Sequence, residues 1–542
     1  QPPPRWAADL RNLLVWGYVV RAYHQVAVRT LSQLVALPTV AEGDGLEVAR
    51  ESRKAFEQRL EQLCRSWGLG FDRLEGGRAL RISAVHGPNE AQQLYVLATV
   101  DTAGAVAEGW RRPPFAGEVT GGEVVGRGAV AKGGLVAMLL ALKAIHDAQL
   151  PLPAHPVLLV SFGGEAARRR GIGPLPVKLQ SEVAFLAGGA FPVGIGESGL
   201  AALVVTAPPD PPGATPREEA PGFKLIEVAV EPAAAGKPAA AVALLDPRDI
   251  PLRRATAIAR RSLSQWTLAH SGSAAAVQEA EGRYLRLRFF PTLPPAGAGA
   301  AGRATAPLPE PEDAAAATGP GAPPPDDPGS ALSELLAFLG RQLGVFPDAR
   351  GRLARFLGTK LALAEDGREL GLALTHPGGF PPTRLRLERW EQDGRQEEAG
   401  GARAFLGIRW PPGKSAAEVI RAVSEAAAAY ARDEGGALLV RGEGVGPHLL
   451  PAEDPRVRIL LRAYEEATRQ EAFTHTSPTP TVAKGFAPAP VFGPLAPRRS
   501  FVPDRPDEAI RQDELISAAR IYCVALLRLL DERGKGKGRP GR

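Results

Sequence analysis

Cysteine is nearly absent: Cys64 and Cys523 are the only two in 542 residues. Two cysteines cannot build a disulfide framework or a thiolate zinc site. Both fall in helix-like apolar patterns, which predicts core packing and is compatible with a reducing compartment. Histidine is sparse too. The eight histidines, at 24, 86, 146, 155, 270, 376, 448 and 475, form no His-x-His or His-x-x-x-His pair that would set two imidazoles on one metal. Each reads as a surface or loop histidine. No run of about 18 apolar residues exists, so no membrane-spanning helix is expected. The piece LLVWGYVV at 13–20 is too short to span a bilayer and lacks a cleavage-site context. His270-Ser271-Gly272-Ser273 is unsupported by any Gly-x-Ser-x-Gly elbow. No fixed-period repeat is present.

The charge that is present is mixed. There are 65 Lys and Arg against 59 Asp and Glu, for a net +6. Only the tail GKGKGRPGR at 534–542 is concentrated; it reads as disordered, with an anionic surface or nucleic acid as the alternative partner. No nucleic-acid partner is expected for the chain as a whole. Apolar content of 44% and charged content of 23% are those of a soluble globular protein long enough for two large cores. Gly (61) and Pro (52) make up about a fifth of the chain. That predicts long irregular segments, above all 291–330, almost all Pro, Ala and Gly with acidic punctuation.

Apolar periodicity predicts helices at 11–36 and 47–67, the latter with Leu60, Leu63, Cys64 and Trp67 on one face. Leu94–Val100, Val157–Phe162, Val183–Leu186 and Ala201–Ala207 read as strands, with a helix at Gly134–Leu150. This alternation predicts an α/β layer with a largely parallel sheet. PPDPPGATPREEAPG, from about 208, reads as a linker. Beyond it, 223–290 carries two strand-like runs around the helical segment Asp249–Gln265. Ser333–Leu343 reads as a helix. Strands are expected near 370–375, 383–388 and 404–409, then a helix at Ser415–Ala431. Residues 456–468 and 508–532 read as long amphipathic helices; the apolar set of the last is Ile516, Ala519, Ile521, Cys523, Val524, Leu527 and Leu530.

Four stretches carry a resemblance: LYVLATVDTAGAVAEGWRRPPFAG, VVGRGAVAKGGLVAMLLALKAI, VLLVSFGGEAARRRG and FLAGGAFPVGIGESG. The chain resembles the zinc-dependent dipeptidase and deacylase family that includes dipeptidase V, the Sapep dipeptidases, carnosinase and acetylornithine deacetylase. HLLPAEDPRVRILLRAYEEAT and RPDEAIRQDELISAARIYCVALLRLL resemble that family's later helices. The resemblance implies a two-domain metallopeptidase-like α/β fold. An α/β catalytic-type domain with a mixed, largely parallel sheet would span 1–207 and 436–533. An inserted α+β lid domain would span 208–435, with the basic tail at 534–542.

In that family two zinc or manganese ions lie about 3.5–4 Å apart and activate a bridging water for a nearby Glu. The framework of this site is present and its ligands are changed. The His of the family's His-x-Asp falls on Thr99, while Asp101, the residue that would orient it, remains. The bridging Asp falls in Arg127-Gly128-Ala129-Val130-Ala131-Lys132-Gly133, at Ala131. The Glu-Glu pair becomes Glu165-Ala166, keeping the general base and losing the ligand. The fourth ligand falls on Gly188 and the last on Asp504. The lid's catalytic His should follow Tyr284–Phe289, where the sequence reads PTLPPAGAG. Asp101, Glu165 and Asp504 remain as the donors of an alternative three-carboxylate site suited to magnesium, calcium or manganese. Ile408-Arg409-Trp410 resembles the strand whose Arg holds a substrate carboxylate, a task that suits a planar guanidinium; a surface arginine at a strand end is the alternative.

Gly126-Arg127-Gly128 with Lys132-Gly133-Gly134 fits neither Gly-x-Gly-x-x-Gly nor the Walker spacing, so it is read as the altered metal turn rather than a phosphate loop. The functional expectation is a family member without metal hydrolysis and without a cofactor. It would bind a peptide or amino-acid carboxylate, or partner proteins or its own copies as a scaffold. The alternatives are an active metal-dependent dipeptidase or N-acyl-amino-acid hydrolase with a rebuilt site, and a structural subunit of a larger assembly. The cytoplasm is the expected location, or a mitochondrion if a segment ahead of Gln1 is removed.

Overall fold

The computed structural model describes residues 17, 23–42, 47–74, 79–84, 93–102, 104, 110–149, 152–163, 183–211, 223–231, 240–270, 274–280, 284–290, 328–346, 348–361, 365–393, 400–477, 489–497 and 506–536. Glu165, Ala166, Asp504, residues 291–327 and the tail beyond 536 lie outside them. The chain forms two compact units. The first comprises Gln1–Ser198, Pro377–Phe380 and Val445–Arg542; the second comprises Gly199–His376 and Pro381–Gly444.

The first unit starts with helix α1 (His24–Val35), which buries Ala27, Leu31, Leu34 and Val35 at helical spacing. Helix α2 (Arg50–Ser66) buries Phe56, Leu60, Leu63 and Cys64. Trp67, expected on the same face, is the half-buried residue that ends the helix. Each fully buried leucine stabilises the fold by roughly 2 kcal/mol. A mixed sheet follows: β1 (Gly70–Leu74), β2 (Ala79–Ser83), β3 (Gln93–Thr99), β4 (His155–Ser161) and β5 (Val183–Leu186), in spatial order β1-β2-β4-β3-β5. Strand β3 runs parallel to both β4 and β5, while β2 pairs antiparallel with β1 and β4. The parallel strands are buried along almost their whole length, which is why they read as continuous apolar runs. Between β3 and β4 runs helix α3 (Ala129–Asp147). It is long and apolar enough to cross a membrane, but 83% of its apolar window is buried inside the protein, so its apolarity is that of a core helix. Strand β6 (Val193–Glu197) pairs with His448–Leu449 and Thr474–Ser477.

The second unit begins at Gly199, upstream of the expected 208, because β7 (Gly199–Ala207) pairs along its whole length with β13 (Ala402–Trp410). A four-stranded sheet comes next in the described residues: β8 (Lys224–Glu231), β9 (Ala240–Asp246), β10 (Ala274–Ala280) and β11 (Tyr284–Phe290), ordered β8-β9-β11-β10. Helix α4 (Leu252–Ala269) packs on it. Where the pattern suggests two strand-like runs there are four strands. Helix α5 (Pro328–Phe338) continues into a π-helical turn at Leu339–Leu343, and α6 (Ala349–Lys360) packs against both. Strand β12 (Arg384–Gln392) joins β13, β7 and β14 (Leu439–Val445) in the order β12-β13-β7-β14, with α7 (Ala416–Glu434) lying on β7. The strand expected near 370–375 is not there. Leu370 and Leu372 are buried, but the Leu374 amide donates to the Leu372 carbonyl at 2.7 Å, a tight turn and not a ladder.

The chain then re-enters the first unit through α8 (Pro455–Thr468) and α9 (Gln512–Gly536). All seven expected apolar residues of α9 are buried, and the helix packs along α3. Phe185, Phe191, Phe492 and Tyr522 form a ring cluster here, and the Tyr522 hydroxyl donates to the Phe492 carbonyl at 2.9 Å.

Candidate active site at the carboxyl end of the first-unit sheet

Ligands of open α/β sheets bind where strands end and helices begin. In the first unit this edge is made by the ends of β3, β4 and β5 and the first turn of α3. Thr99 closes β3 opposite Ser161 of β4. The next residues lead into a hydrogen-bonded crossover: Val100 N donates to Ser161 O, Thr102 N to Thr39 O, and Ala41 N to Thr102 O. Asp101 is held in this crossover, 6% exposed and already engaged by neighbours. Past β5, the Ala187 amide donates to the Leu97 carbonyl at 2.8 Å and Gly188 bends back onto Leu186, so Gly188 lies at the same edge.

Helix α3 is pressed against this edge. A Cβ at Gly134 would stand 2.5 Å from the Ala187 carbonyl oxygen, and one at Gly133 would stand 2.9 Å from Ile510 Cδ1. A Cβ at Gly128, whose φ is +83°, would stand 2.7 Å from Thr102 Cγ2. These approaches set the first turns of α3, which carry Ala131, against the ends of β3 and β5, which carry Thr99, Asp101 and Gly188. The side chains of Thr99, Asp101, Ala131 and Gly188 are a half-buried hydroxyl, a buried carboxylate, a methyl and a hydrogen.

The start of α3 is organised by a residue far away in sequence. The Glu508 carboxylate accepts from the Gly128 and Val130 amides, each at 3.1 Å, and lies 3.5 Å from the Arg127 guanidinium. It thereby satisfies amides that a helix N-terminus leaves open, with the favourable end of the helix dipole beneath it. Arg127 is buried and lies over the Trp110 ring at 5.2 Å. Neighbouring Asp507 accepts from the Arg111 amide at 3.0 Å. Lys132 is fully buried; its Nζ donates to the Leu37 carbonyl at 2.7 Å and lies 5.5 Å from the Phe56 ring. Burial pushes the Lys132 ammonium down to about 7, opposed by the Glu508 carboxylate. This is not a phosphate cradle: the lysine head is spent on a core carbonyl and the helix amides on a carboxylate. Sequence reasoning alone does not mark Glu508, Arg127 and Lys132 as partners. The one signal is the resemblance itself, which sets Asp507-Glu508 at an expected Asn-Glu pair.

Among the described residues no group of three or more His, Cys, Asp or Glu side chains converges as metal ligands would. The chemistry of the donors agrees. A divalent ion of this type needs imidazole or carboxylate ligands, and Thr99, Ala131 and Gly188 supply neither. The described part of this edge therefore does not fit a pair of zinc or manganese ions. Three of the described histidines have structural tasks. His146 Nδ1 lies 2.7 Å from the Ala84 carbonyl, and His270 stacks on Trp266 at 3.9 Å. His475 Nε2 lies 2.9 Å from the Ala190 carbonyl, and burial lowers its pKa, which keeps it neutral. Arg409 belongs to the second unit. It is exposed on β13, in cross-strand register with Arg384 of β12.

The family model of peptidase family M20/M25/M40 matches residues 99–528. Among solved structures, human carnosine dipeptidase 1 is similar at 14% identity over 98% of this chain and 100% of that chain, with a TM-score of 0.53. The di-peptidase Dug1p from Saccharomyces cerevisiae is similar at 11% identity over 96% of this chain and 98% of that chain, with a TM-score of 0.52. At such identities the likeness is one of fold. No curated protein sequence matches the chain. The family match spans most of the chain, both halves of the first unit included, and the chain belongs to peptidase family M20/M25/M40.

Proposed function

We propose that this chain keeps the framework of the family without its two-metal hydrolytic centre, and acts as a catalytically inactive binding or scaffold protein. One observation carries the reading. The first turns of α3, which carry Ala131, lie against the ends of β3 and β5, which carry Thr99 and Gly188, and none of these three side chains can donate to a divalent metal in the way imidazole or carboxylate does. Asp101, deprived of the histidine it would orient, is vestigial in this reading. Glu165 would act on ordinary water, whose pKa of about 15.7 is far beyond a carboxylate base. Arg409 is the group we assign to a peptide or amino-acid carboxylate, through a bidentate guanidinium pair; the inserted unit would then serve as the family's lid.

The test is metal content. The full chain is purified without chelators, incubated with zinc or manganese, desalted and examined by elemental mass spectrometry. Less than about 0.1 metal per chain is expected, with no turnover across a dipeptide panel. One or two tightly held ions, together with dipeptide hydrolysis abolished by Glu165→Gln, would establish an active dipeptidase with a rebuilt site instead.

A further inference from the structure

Helix α4 turns Ala255, Thr256, Ala259, Leu263 and Trp266 into the second unit. At about 100° per residue, its opposite side carries Arg253, Arg254, Arg260, Arg261 and Leu268, all exposed. The helix, LRRATAIARRSLSQWTLA, contains no acidic residue. Among the described residues none of these four guanidinium groups has an ion-pair or hydrogen-bond partner. Elsewhere in the same unit Arg288, Arg352, Arg355 and Arg384 each meet a carboxylate. The two arginine pairs are seven residues apart, so they stand about 10 Å from each other along one face. Leu268 projects on the midline of that face, about two turns beyond the second pair. It is 84% exposed, against 49% for the next most exposed large apolar side chain among the described residues.

Four cations that meet no carboxylate among the described residues, set on one helix face, fit an anionic partner. The leucine in line with them narrows the choice. Nucleic-acid backbones are held by basic and polar side chains, and a protruding leucine adds nothing there. At a membrane surface the same arrangement is complementary: arginines meet lipid phosphates while an apolar side chain enters the boundary between headgroups and acyl chains. We propose that the outer face of α4 is a reversible docking surface for an anionic lipid bilayer. The helix lies on the surface and does not span it; one leucine and four arginines give weak, salt-sensitive attachment.

The experiment uses the full chain with vesicles of phosphatidylcholine, alone or with about 30% phosphatidylglycerol, in a sedimentation assay. Binding is expected only to the anionic vesicles and to weaken as salt is raised. R253E/R254E/R260E/R261E should lose more than about tenfold in affinity, whereas removal of residues 534–542 should leave binding in place. Because all five side chains are exposed, these variants keep the fold, which circular dichroism verifies. The Leu268→Trp variant should show a blue-shifted emission on anionic vesicles. The proposal is overturned if the wild-type chain ignores these vesicles, if the arginine variant binds as the wild type does, or if the emission of the Leu268→Trp variant does not move. Retention of a short DNA duplex without vesicle binding would assign the face to nucleic acid.

Discussion

Glu508 closes the first turn of α3 by accepting from the Val130 amide at 3.1 Å, a contact spanning 378 residues of sequence. The segment that leads into the last helix thus holds the turn to which we assign the altered bridging-ligand position. Removing the carboxylate takes the acceptor from the Gly128 and Val130 amides and a negative charge from beside the buried Arg127 guanidinium. Glu508→Ala should lower the free energy of unfolding by about 3 kcal/mol, and Glu508→Gln, which keeps an acceptor, by about 1–2 kcal/mol. Urea unfolding of the full chain measures both. An alanine variant as stable as the wild type would show that the contact contributes nothing.

Lys132 predicts a pH dependence. Its folded pKa of about 7 lies below the ordinary lysine value of 10.5. Between these values the unfolded chain binds more protons than the native one, so stability rises with pH through this window. Below pH 7 the penalty of burying the charged form is present in full. Cys64 acts in the opposite sense at higher pH, because burial raises its thiol from 9.0 to about 12. The clean range is therefore pH 7 to about 8.5, where stability should climb by up to about 1.4 kcal/mol per unit. Lys132→Met, similar in shape and without charge, should flatten that slope.

The two glycines of α3 should respond unequally. Gly134→Ala puts a methyl 2.5 Å from a backbone carbonyl, which cannot swing aside. Gly133→Ala meets the end of the Ile510 side chain at 2.9 Å, which can rotate. The first should cost about 2–3 kcal/mol and the second about 1 kcal/mol or less. Thermal melts of the two variants side by side give the order.

Gly188 should accept an aspartate. Its backbone is outside the left-handed region, and a Cβ there meets only Leu186, at 3.6 Å. Gly188→Asp alone should leave the melting temperature within about 2 °C of the wild type. Combined with Thr99→His, Ala131→Asp and Ala166→Glu it should create binding of at least about one zinc per chain, read by elemental mass spectrometry. If the combined variant folds and takes up no zinc, the assignment of these positions is wrong.

Local signals are the legible ones in this chain. The buried parallel strands announce themselves as unbroken apolar runs, and α9 by its helical spacing. The sequence pattern sets the start of α3 at Gly134, whereas the helix begins at Ala129, because Gly133 and Gly134 look like helix breakers when only neighbours in sequence are considered. They are demanded by the close approach of Ala187 and Ile510, and the open amides are met by Glu508; both causes are tertiary. The onset of the second unit at Gly199 is hidden for the same kind of reason, since only pairing with β13 assigns β7 to it. The ligand positions we propose as altered can be judged from residue type alone, which decides whether an atom can donate to a metal. Their convergence needs the fold.

The brief return of Pro377–Phe380 to the first unit has a consequence for dissecting this protein. Phe380 is 6% exposed, and Gly196 is kept bare of a side chain within 2.7 Å of its ring. A polypeptide cut at residues 199 and 444 would carry these four residues away, and the remainder would lose a piece of its own interior. The inserted segment is thus stitched into its host at a third place besides its two ends. Deleting it cleanly would require grafting those residues back, and its exchange between relatives would have to preserve the stitch.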